Sequence, residues 1–144
     1  MTAPGSDDAL ARFNDAPQSE AAEQAFGWLG TPAFAMVLTA GRPYASVGAL
    51  VTRAAQLTRA LPWRHVSALL EAHPGTADTT DDEGTRAYTE RFGHTFLIRT
   101  AGRSPEEVRR ELERRLGNDP AAEQAEVTGQ LVEVTALRVR EAMR

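Results

Sequence analysis

Hydrophobic residues recur at intervals of three and four along most of the chain, whereas the alternation that marks strands is almost absent. Two segments show the helical interval best, one after Ser46 and the other after Asp119. Their apolar positions are Leu50, Ala54 and Leu57 in the first segment, and Val127, Leu131, Val134 and Leu137 in the second. This spacing places the side chains on one face of a helix and predicts helices packed on a core.

Capping residues and prolines divide this pattern into separate helices. Ser104-Pro105-Glu106-Glu107 is the clearest start, because it joins a serine cap, a proline at the first helical position and a glutamate at the third. Thr31 before Pro32 gives a similar signal. Further helices are expected to start near Asp8, at Pro17-Gln18-Ser19 with Ser19 or Gln18 near the cap, after Ser46, at Pro62, near Thr85 and at Pro120. The pattern predicts an all-α, single-domain helical bundle of about six to eight helices.

The middle of the chain is less regular. Residues 75–84 are polar and acidic and predict a loop, although Thr80-Asp81-Asp82-Glu83 also fits a capping box for the helix near Thr85. Gly93 is expected to weaken that helix midway. Phe96-Leu97-Ile98 has the composition of a short strand. With no internal repeat or linker, we expect a disordered N-terminus over residues 1–7 and one helical domain over residues 8–144.

Composition removes several classes of chemistry. The chain has no cysteine and no lysine, which excludes disulfides, thiolate ligands and Schiff-base catalysis. A net charge of −4 argues against a nucleic-acid partner, and glutamates interleave with the arginines of residues 106–115 as on a solvated helix face. No apolar run is long enough to span a membrane, and the first residues lack the features of a secretory signal. We therefore expect a cytoplasmic protein.

His73 is the strongest candidate for chemistry. It precedes Pro74, so its helix is expected to end there, beside the polar loop. A histidine at such a place can give or take a proton near neutral pH. The alternative, which local sequence alone favours, is that His73 only caps the last carbonyls of its helix. Of the other two histidines, His65 is expected to face solvent, and His94 fits a core, surface or site position equally.

Arg138 and the acidic loop are the other candidates. Arg138 follows the apolar stripe of the last helix and suits either an anion clamp or a packed stem whose head reaches water. The carboxylates of Asp81, Asp82 and Glu83 lie close in sequence to His73, but they make a weak metal cluster, and no metal site is predicted. No Ser-His-Asp arrangement or phosphate loop can be assembled. The residues alone therefore predict a helical domain with one poised histidine.

Six segments, taken in order from about Leu10 to the C-terminus, resemble one family. They are Arg42-Pro43-Tyr44 followed by Ser46; Ala72-His73-Pro74; Tyr88 with Arg91-Phe92-Gly93 and Phe96-Leu97-Ile98; Gly102-Arg103-Ser104; Arg115-Leu116-Gly117-Asn118; and Leu137-Arg138. Together they resemble 2-oxo-4-hydroxy-4-carboxy-5-ureidoimidazoline (OHCU) decarboxylase, the last enzyme of the urate-to-allantoin route.

The resemblance implies an all-α fold, a small-molecule substrate and no cofactor. Because the family is usually dimeric, it also implies a homodimer as one possible assembly of this chain. It implies that His73 handles the proton during loss of carbon dioxide and that Pro74 lies beside the substrate. It also implies that backbone groups of Phe96-Leu97-Ile98-Arg99-Thr100 hold the substrate ring, in a helical or irregular segment rather than a strand. Arg138 would pair with the substrate's negative charge.

One segment departs from the family. Relatives carry a longer loop and helix with a Ser-x-x-Glu-Gln motif, whose glutamate and glutamine also meet the substrate. Here Thr80-Asp81-Asp82-Glu83-Gly84 stands in that place, with Thr for Ser and Gly for Gln. Three interpretations follow: a decarboxylase in which Glu83, or else Asp81 or Asp82, replaces the missing glutamate; a relative with a changed carboxylated substrate; or a non-catalytic helical protein that binds a partner.

Overall fold

The computed structural model describes the backbone of residues 6–72, 82–94, 96, 98 and 102–144, and the side chains of these residues except 6, 7, 71, 72 and 82–85. The described residues form helices and no strand, so the predicted all-α class and the number of helices are confirmed. The eight helices are α1 (Ser6–Asp15), α2 (Gln18–Trp28), α3 (Pro32–Ala40), α4 (Val47–Arg59), α5 (Trp63–Ala72), α6 (Asp82–Phe92), α7 (Pro105–Leu116) and α8 (Pro120–Ala142).

Four of the predicted helix starts are confirmed by side-chain caps. In each case a side-chain oxygen accepts a hydrogen bond from the backbone amide three residues later. The pairs are Thr31 Oγ1 and Phe34 N (3.2 Å), Ser46 Oγ and Ala49 N (3.0 Å), Ser104 Oγ and Glu107 N (3.2 Å), and Asp119 Oδ1 and Ala122 N (2.7 Å). Each bond satisfies an amide that the first turn of a helix leaves without a partner. The expected cap of α2 at Gln18 or Ser19 is wrong, since the capping residue is Pro17, which makes no side-chain bond.

Three predictions in the middle of the chain are also wrong. Helix α6 begins at Asp82 rather than near Thr85, so Asp82 and Glu83 lie inside its first turn. Gly93 ends this helix instead of weakening it midway, because its φ of +78° is a left-handed conformation that other residues avoid. Phe96 and Ile98 belong to no strand. The described part of this segment is irregular, as the resemblance implied.

The helices form two compact units. Unit 1 comprises Met1–Ala60 and Val132–Arg144, and unit 2 comprises Leu61–Leu131. In unit 1, α2 packs on α3, α3 packs on α4, and α1 also contacts α4. The largest buried side chains of unit 1 are Phe13, Trp28, Leu29, Phe34, Leu38, Leu50 and Met143. The domain boundary at residue 8 stays a prediction, although α1 already begins at Ser6.

Unit 2 holds α5, α6, α7 and the first part of α8, with α6 packed on α7. Its core cluster consists of Tyr88, Phe96, Ile98, Val108 and Leu112. Three apolar residues of α5 are buried as well, namely Val66, Leu69 and Leu70. The end of α6, the segment after it and the inner face of α7 therefore meet in one apolar core.

The buried face of α8 differs in part from the predicted stripe. Val127 and Leu131 are buried as expected, but Val134 and Leu137 are partly exposed. The buried positions continue instead at Val132, Thr135, Ala136 and Val139. A count of large apolar residues misses this face because two of its members are Thr and Ala. Among the described helices, none is both long and apolar enough to cross a membrane.

Candidate functional site

The structure describes three of the nine predicted site residues with their side chains: Phe96, Ile98 and Arg138. Five others, together with Asp81, lie outside the described residues, and they are His73, Pro74, Leu97, Arg99 and Thr100. Glu83 lies in the first turn of α6, and its side chain is outside the described part. The expected convergence of His73, Arg138 and an acidic side chain therefore stays a prediction.

Phe96 and Ile98 anchor the predicted substrate-binding segment in the core of unit 2. Their side chains are fully buried in the core cluster, and the Phe96 ring lies 5.1 Å from the Tyr88 ring, edge to face. The guanidinium of Arg115 lies over the Phe96 ring, with its central carbon 4.6 Å from the ring centroid. Since these side chains face the core, any contact of Phe96 or Ile98 with a substrate is left to the backbone.

Beneath Phe96 lies a buried ion pair that sequence reasoning missed. The side chains of Arg115 and Glu123 are both completely buried and form a salt bridge. Arg115 Nε donates to Glu123 Oε2 at 2.8 Å and to Oε1 at 3.1 Å, while its Nη2 also binds Oε2. Such charge-assisted, forked bonds are the strongest that side chains make. The carboxylate of α8 is thereby tied to the last turn of α7.

Two neutral groups complete the partners of this carboxylate. The Tyr88 hydroxyl donates to Glu123 Oε2, and Asn118 Nδ2 donates to Oε1 at 3.1 Å. Burial, followed by the hydrogen bond to Glu123, raises the pKa of Tyr88 above its ordinary value. Tyr88 therefore stays a neutral donor, which is the form that a buried carboxylate requires.

His94 is buried beside this network. Its ring centroid lies 5.1 Å from Trp63, 5.4 Å from Tyr88 and 6.1 Å from Phe92. Only 7% of the residue is exposed, which rules out the surface position that the sequence left open. His94 thus joins α5, α6 and the segment that leads to Phe96.

A second, exposed set of charges borders the network. Arg114 forms salt bridges with Glu111 and Glu126, and Asn118 Nδ2 also donates to Glu126. The hydrogen bond from Arg114 is the main cause that lowers the pKa of Glu126 below its ordinary value. Arg91 Nη2 donates to the Asn118 carbonyl at 2.7 Å. The resembling segments that hold Arg91, Arg115 and Asn118 therefore join α6, α7 and α8.

The sequence did contain a signal for the buried pair. Arg115 follows Val108 and Leu112 at helical spacing, and Glu123 precedes Val127 at the same spacing. Each of two successive helices thus carries one charged residue on its apolar face, and the two charges have opposite signs. Because Arg115 lies among arginines and glutamates typical of a solvated face, we expected it to be exposed, and that expectation is wrong.

Arg138 belongs to unit 1, where it contacts the end of α2. Its Nη1 donates to the Trp28 carbonyl at 3.1 Å, and its side chain is partly buried. Trp28 is the last residue of α2, so the guanidinium meets a carbonyl that has no partner within the helix. The bond uses one of the five N–H donors of arginine. It therefore fixes the head group beside the helix end.

Arg42 acts in the same way at the end of α1. Its Nη1 donates to the carbonyls of Phe13 (2.8 Å), Asn14 (3.3 Å) and Ala16 (2.7 Å). Asn14 in turn exchanges two hydrogen bonds with the backbone of Tyr44, at 2.9 and 3.0 Å. The resembling segment Arg42-Pro43-Tyr44 thus ties the α3–α4 connection to the end of α1.

No group of three or more histidine, aspartate or glutamate side chains in the described part of the chain is arranged to hold a metal ion. An open surface depression of unit 1 is lined by charged residues of α1 and α2, namely Asp8, Arg12, Asp15 and Glu20. It contains none of the predicted site residues. The described geometry therefore centres on the buried network of unit 2 and on Arg138 of unit 1.

Comparison with known proteins bears on the family. Residues 80–140 match the family model described as OHCU decarboxylase. The predicted family resemblance is confirmed. The fold is similar to that in the crystal structure of (S)-allantoin synthase, with a TM-score of 0.76 and 17% sequence identity over 96% of this chain and 53% of that one. The chain thus spans about half the length of that protein. A search of curated proteins gave no match.

The OHCU decarboxylase match covers a defined part of the chain. It runs through α6, α7 and nearly all of α8, so it includes the buried network, the Phe96–Thr100 segment and Arg138. His73 and Pro74 lie before its first residue. The predicted roles of Phe96 and Arg138 therefore concern residues inside the matched range, whereas that of His73 concerns a residue outside it.

Proposed function

We propose that the protein decarboxylates OHCU to (S)-allantoin without a cofactor. The observation that supports this most is the match of residues 80–140 to the OHCU decarboxylase family. The similarity of the fold to that of (S)-allantoin synthase is in agreement. The matched range contains the two substrate-binding elements that the resemblance implies, the Phe96–Thr100 segment and Arg138.

The proposed reaction needs little from the protein. The carboxylate of OHCU is bound to a carbon flanked by electron-withdrawing nitrogen and carbonyl groups. When the carbon–carbon bond breaks, its electron pair passes into the ring and carbon dioxide leaves. His73 then delivers a proton, on one face, to the adjacent ring carbon that carries the ureido group, which becomes the chiral centre of the product. The hydroxyl of the carbon that lost the carboxylate gives its proton to the ring nitrogen that received the electron pair and becomes a carbonyl. Orientation, desolvation of the carboxylate and one placed acid account for such catalysis.

The other predicted residues have roles in holding the substrate. Arg138 neutralises its negative charge, with a guanidinium oriented by the bond to the Trp28 carbonyl. The backbone of the Phe96–Thr100 segment binds the ring, while the buried side chains of Phe96 and Ile98 hold that segment in place. Glu83 replaces the glutamate of the shortened Ser-x-x-Glu-Gln motif, with Asp81 and Asp82 as the alternatives.

A specific observation favours a second candidate, a helical protein that keeps the scaffold but has another substrate or only binds a partner. The described residues of the resembling segments hold the fold together, as Arg42, Arg91 and Arg115 do. Such residues can persist for packing after an activity is lost. The shortening next to Glu83 also removes part of the family's substrate contact.

Turnover of OHCU separates the two candidates. The substrate is generated in the cuvette from urate by partner enzymes, and circular dichroism follows the formation of optically active allantoin. We expect acceleration over spontaneous decay, a loss of about 100-fold or more in kcat for His73→Ala, and less than a twofold change for His65→Ala, the matched control on α5. No acceleration by folded protein, or equal loss in both variants, would refute the proposal.

A further inference from the structure

The buried ion pair lies directly under the segment proposed to bind the substrate. The central carbon of the Arg115 guanidinium lies over the Phe96 ring, 4.6 Å from its centroid, and the Nε side of the same group is bound by Glu123. A guanidinium held in its plane by a carboxylate presents a fixed flat surface to a ring. The orientation of Phe96 thus depends on a charge pair whose two members lie on α7 and α8.

Tyr88 fixes the same ring from another side. Its ring meets Phe96 edge to face at 5.1 Å, and its hydroxyl is bound to Glu123. The carboxylate of Glu123 therefore orients two of the groups that contact the Phe96 ring. Phe96 itself lies outside any helix, three residues after the turn at Gly93, so side-chain packing has to supply the order that helical hydrogen bonds give elsewhere.

We propose that Arg115 and Glu123 are positioning residues, which hold Phe96 and Ile98 so that the backbone of these two residues is preorganised for the substrate. The inference rests on the proposed function for what binds there. It goes beyond that function in assigning a role to an ion pair that touches no substrate. Preorganised binding groups lower the cost of ordering at the moment of binding.

The test removes both charges of the buried pair together. In Tyr88→Phe/Arg115→Met/Glu123→Leu, three of the four polar members of the network are replaced by apolar side chains of similar size, a change that buried pairs often tolerate. The fourth member, Asn118, keeps its bond to Glu126. The matched control is Arg114→Met, which breaks a neighbouring salt bridge of α7 that does not contact Phe96. Thermal unfolding shows that each variant is folded.

The first readout needs no substrate. Amide hydrogen exchange of Phe96 and Ile98, followed by NMR, reports local order. We expect exchange at least tenfold faster in the triple variant and unchanged in Arg114→Met. Exchange at the wild-type rate in a folded triple variant would overturn the positioning role. This outcome is independent of turnover, so a wild-type protein that does not act on OHCU refutes the proposed function and not this role.

The second readout is the split between KM and kcat for OHCU. Loosened binding groups are expected to raise KM at least fivefold in the triple variant, with kcat within about threefold of wild type, whereas Arg114→Met keeps both values. If the triple variant does not fold, Phe96→Leu replaces it, because it removes the ring face that Arg115 contacts and keeps an apolar side chain. An unchanged KM and unchanged exchange in Phe96→Leu would overturn the proposal.

Discussion

Arginine acts in two contrasting ways in this protein, and the clearest example of each lies in a different unit. In unit 1, Arg42 and Arg138 donate to backbone carbonyls at the ends of α1 and α2. In unit 2, Arg115 is fully buried and donates to a carboxylate, that of Glu123. The first arrangement joins a charge to neutral dipoles at partly exposed helix ends. The second joins two charges in a core from which water is excluded.

This difference changes what the loss of one partner means. When an arginine at a helix end is removed, the carbonyls that it bound can turn to water. When one member of a buried pair is removed, the other remains as an unpaired charge in an apolar core, which is far more costly. Unit 2 should therefore respond steeply to single substitutions, and unit 1 moderately.

The largest effect is expected from Glu123→Ala. It leaves Arg115 buried without its carboxylate and Tyr88 without its acceptor, so the free energy of unfolding should fall by about 3–5 kcal/mol. Denaturant unfolding measures this. Glu126→Ala, on the exposed side of α8, is the control and should cost less than about 1 kcal/mol. Equal losses in the two variants would contradict the contrast between buried and exposed charge.

Arg42→Ala tests the contrast from the side of unit 1. The substitution removes the bonds to three carbonyls near the end of α1, and we expect a loss of about 2 kcal/mol, since a hydrogen bond to a charged group contributes about 1.5–3 kcal/mol. The control is Arg53→Ala on α4, whose side chain is exposed and bonds only Gln56. A loss for Arg42→Ala as large as that for Glu123→Ala would show that the two units do not differ.

Local signals in the sequence predicted the helices well. Thr31, Ser46, Ser104 and Asp119 cap the helices that follow them, because a cap depends on residues within one turn. The start of α6 at Asp82 was placed three residues too late. The capping box Thr80-Asp81-Asp82-Glu83 would itself put the first helical residue next to Thr80, so the local signal was present and the helix was placed too far along the chain.

The candidate site could be predicted only in part. Burial of Phe96 follows from its aromatic side chain, but the charge beneath it does not. Arg115 and Glu123 are eight residues apart on different helices, and their pairing depends on how α7 and α8 pack. Charge patterning along one helix predicted exposure for Arg115, because such patterning carries no information on the partner helix.

The serine caps offer a comparison in which the units should agree. Ser46→Ala in unit 1 and Ser104→Ala in unit 2 each remove one bond to a first-turn amide, so each should cost about 1 kcal/mol. Ser19→Ala is the control, since Ser19 lies within α2 and caps nothing, and it should change stability by less than about 0.5 kcal/mol. A cost that differs severalfold between the two caps would show that the unit, and not the local bond, sets it.

The smallest effect concerns pH and the exposed pair of Arg114 and Glu126. The hydrogen bond from Arg114 lowers the pKa of Glu126 below its ordinary value of 4.5. The folded state therefore favours the carboxylate, so this contribution is present above pH 4.5 and is lost as the pH falls through the lowered pKa.

Since the Arg114 side chain is half exposed, we expect the pair to contribute less than about 1 kcal/mol. Arg114→Gln should accordingly lower the melting temperature by a few degrees at most at pH 7, and this difference should shrink as the pH falls from 4.5 through the lowered pKa of Glu126. Melting curves of both proteins across that range measure it. A difference that grows in acid would mean that Arg114 acts in unit 2 through something other than its carboxylate partners, and the division between a buried pair that decides stability and an exposed pair that adjusts it would not hold.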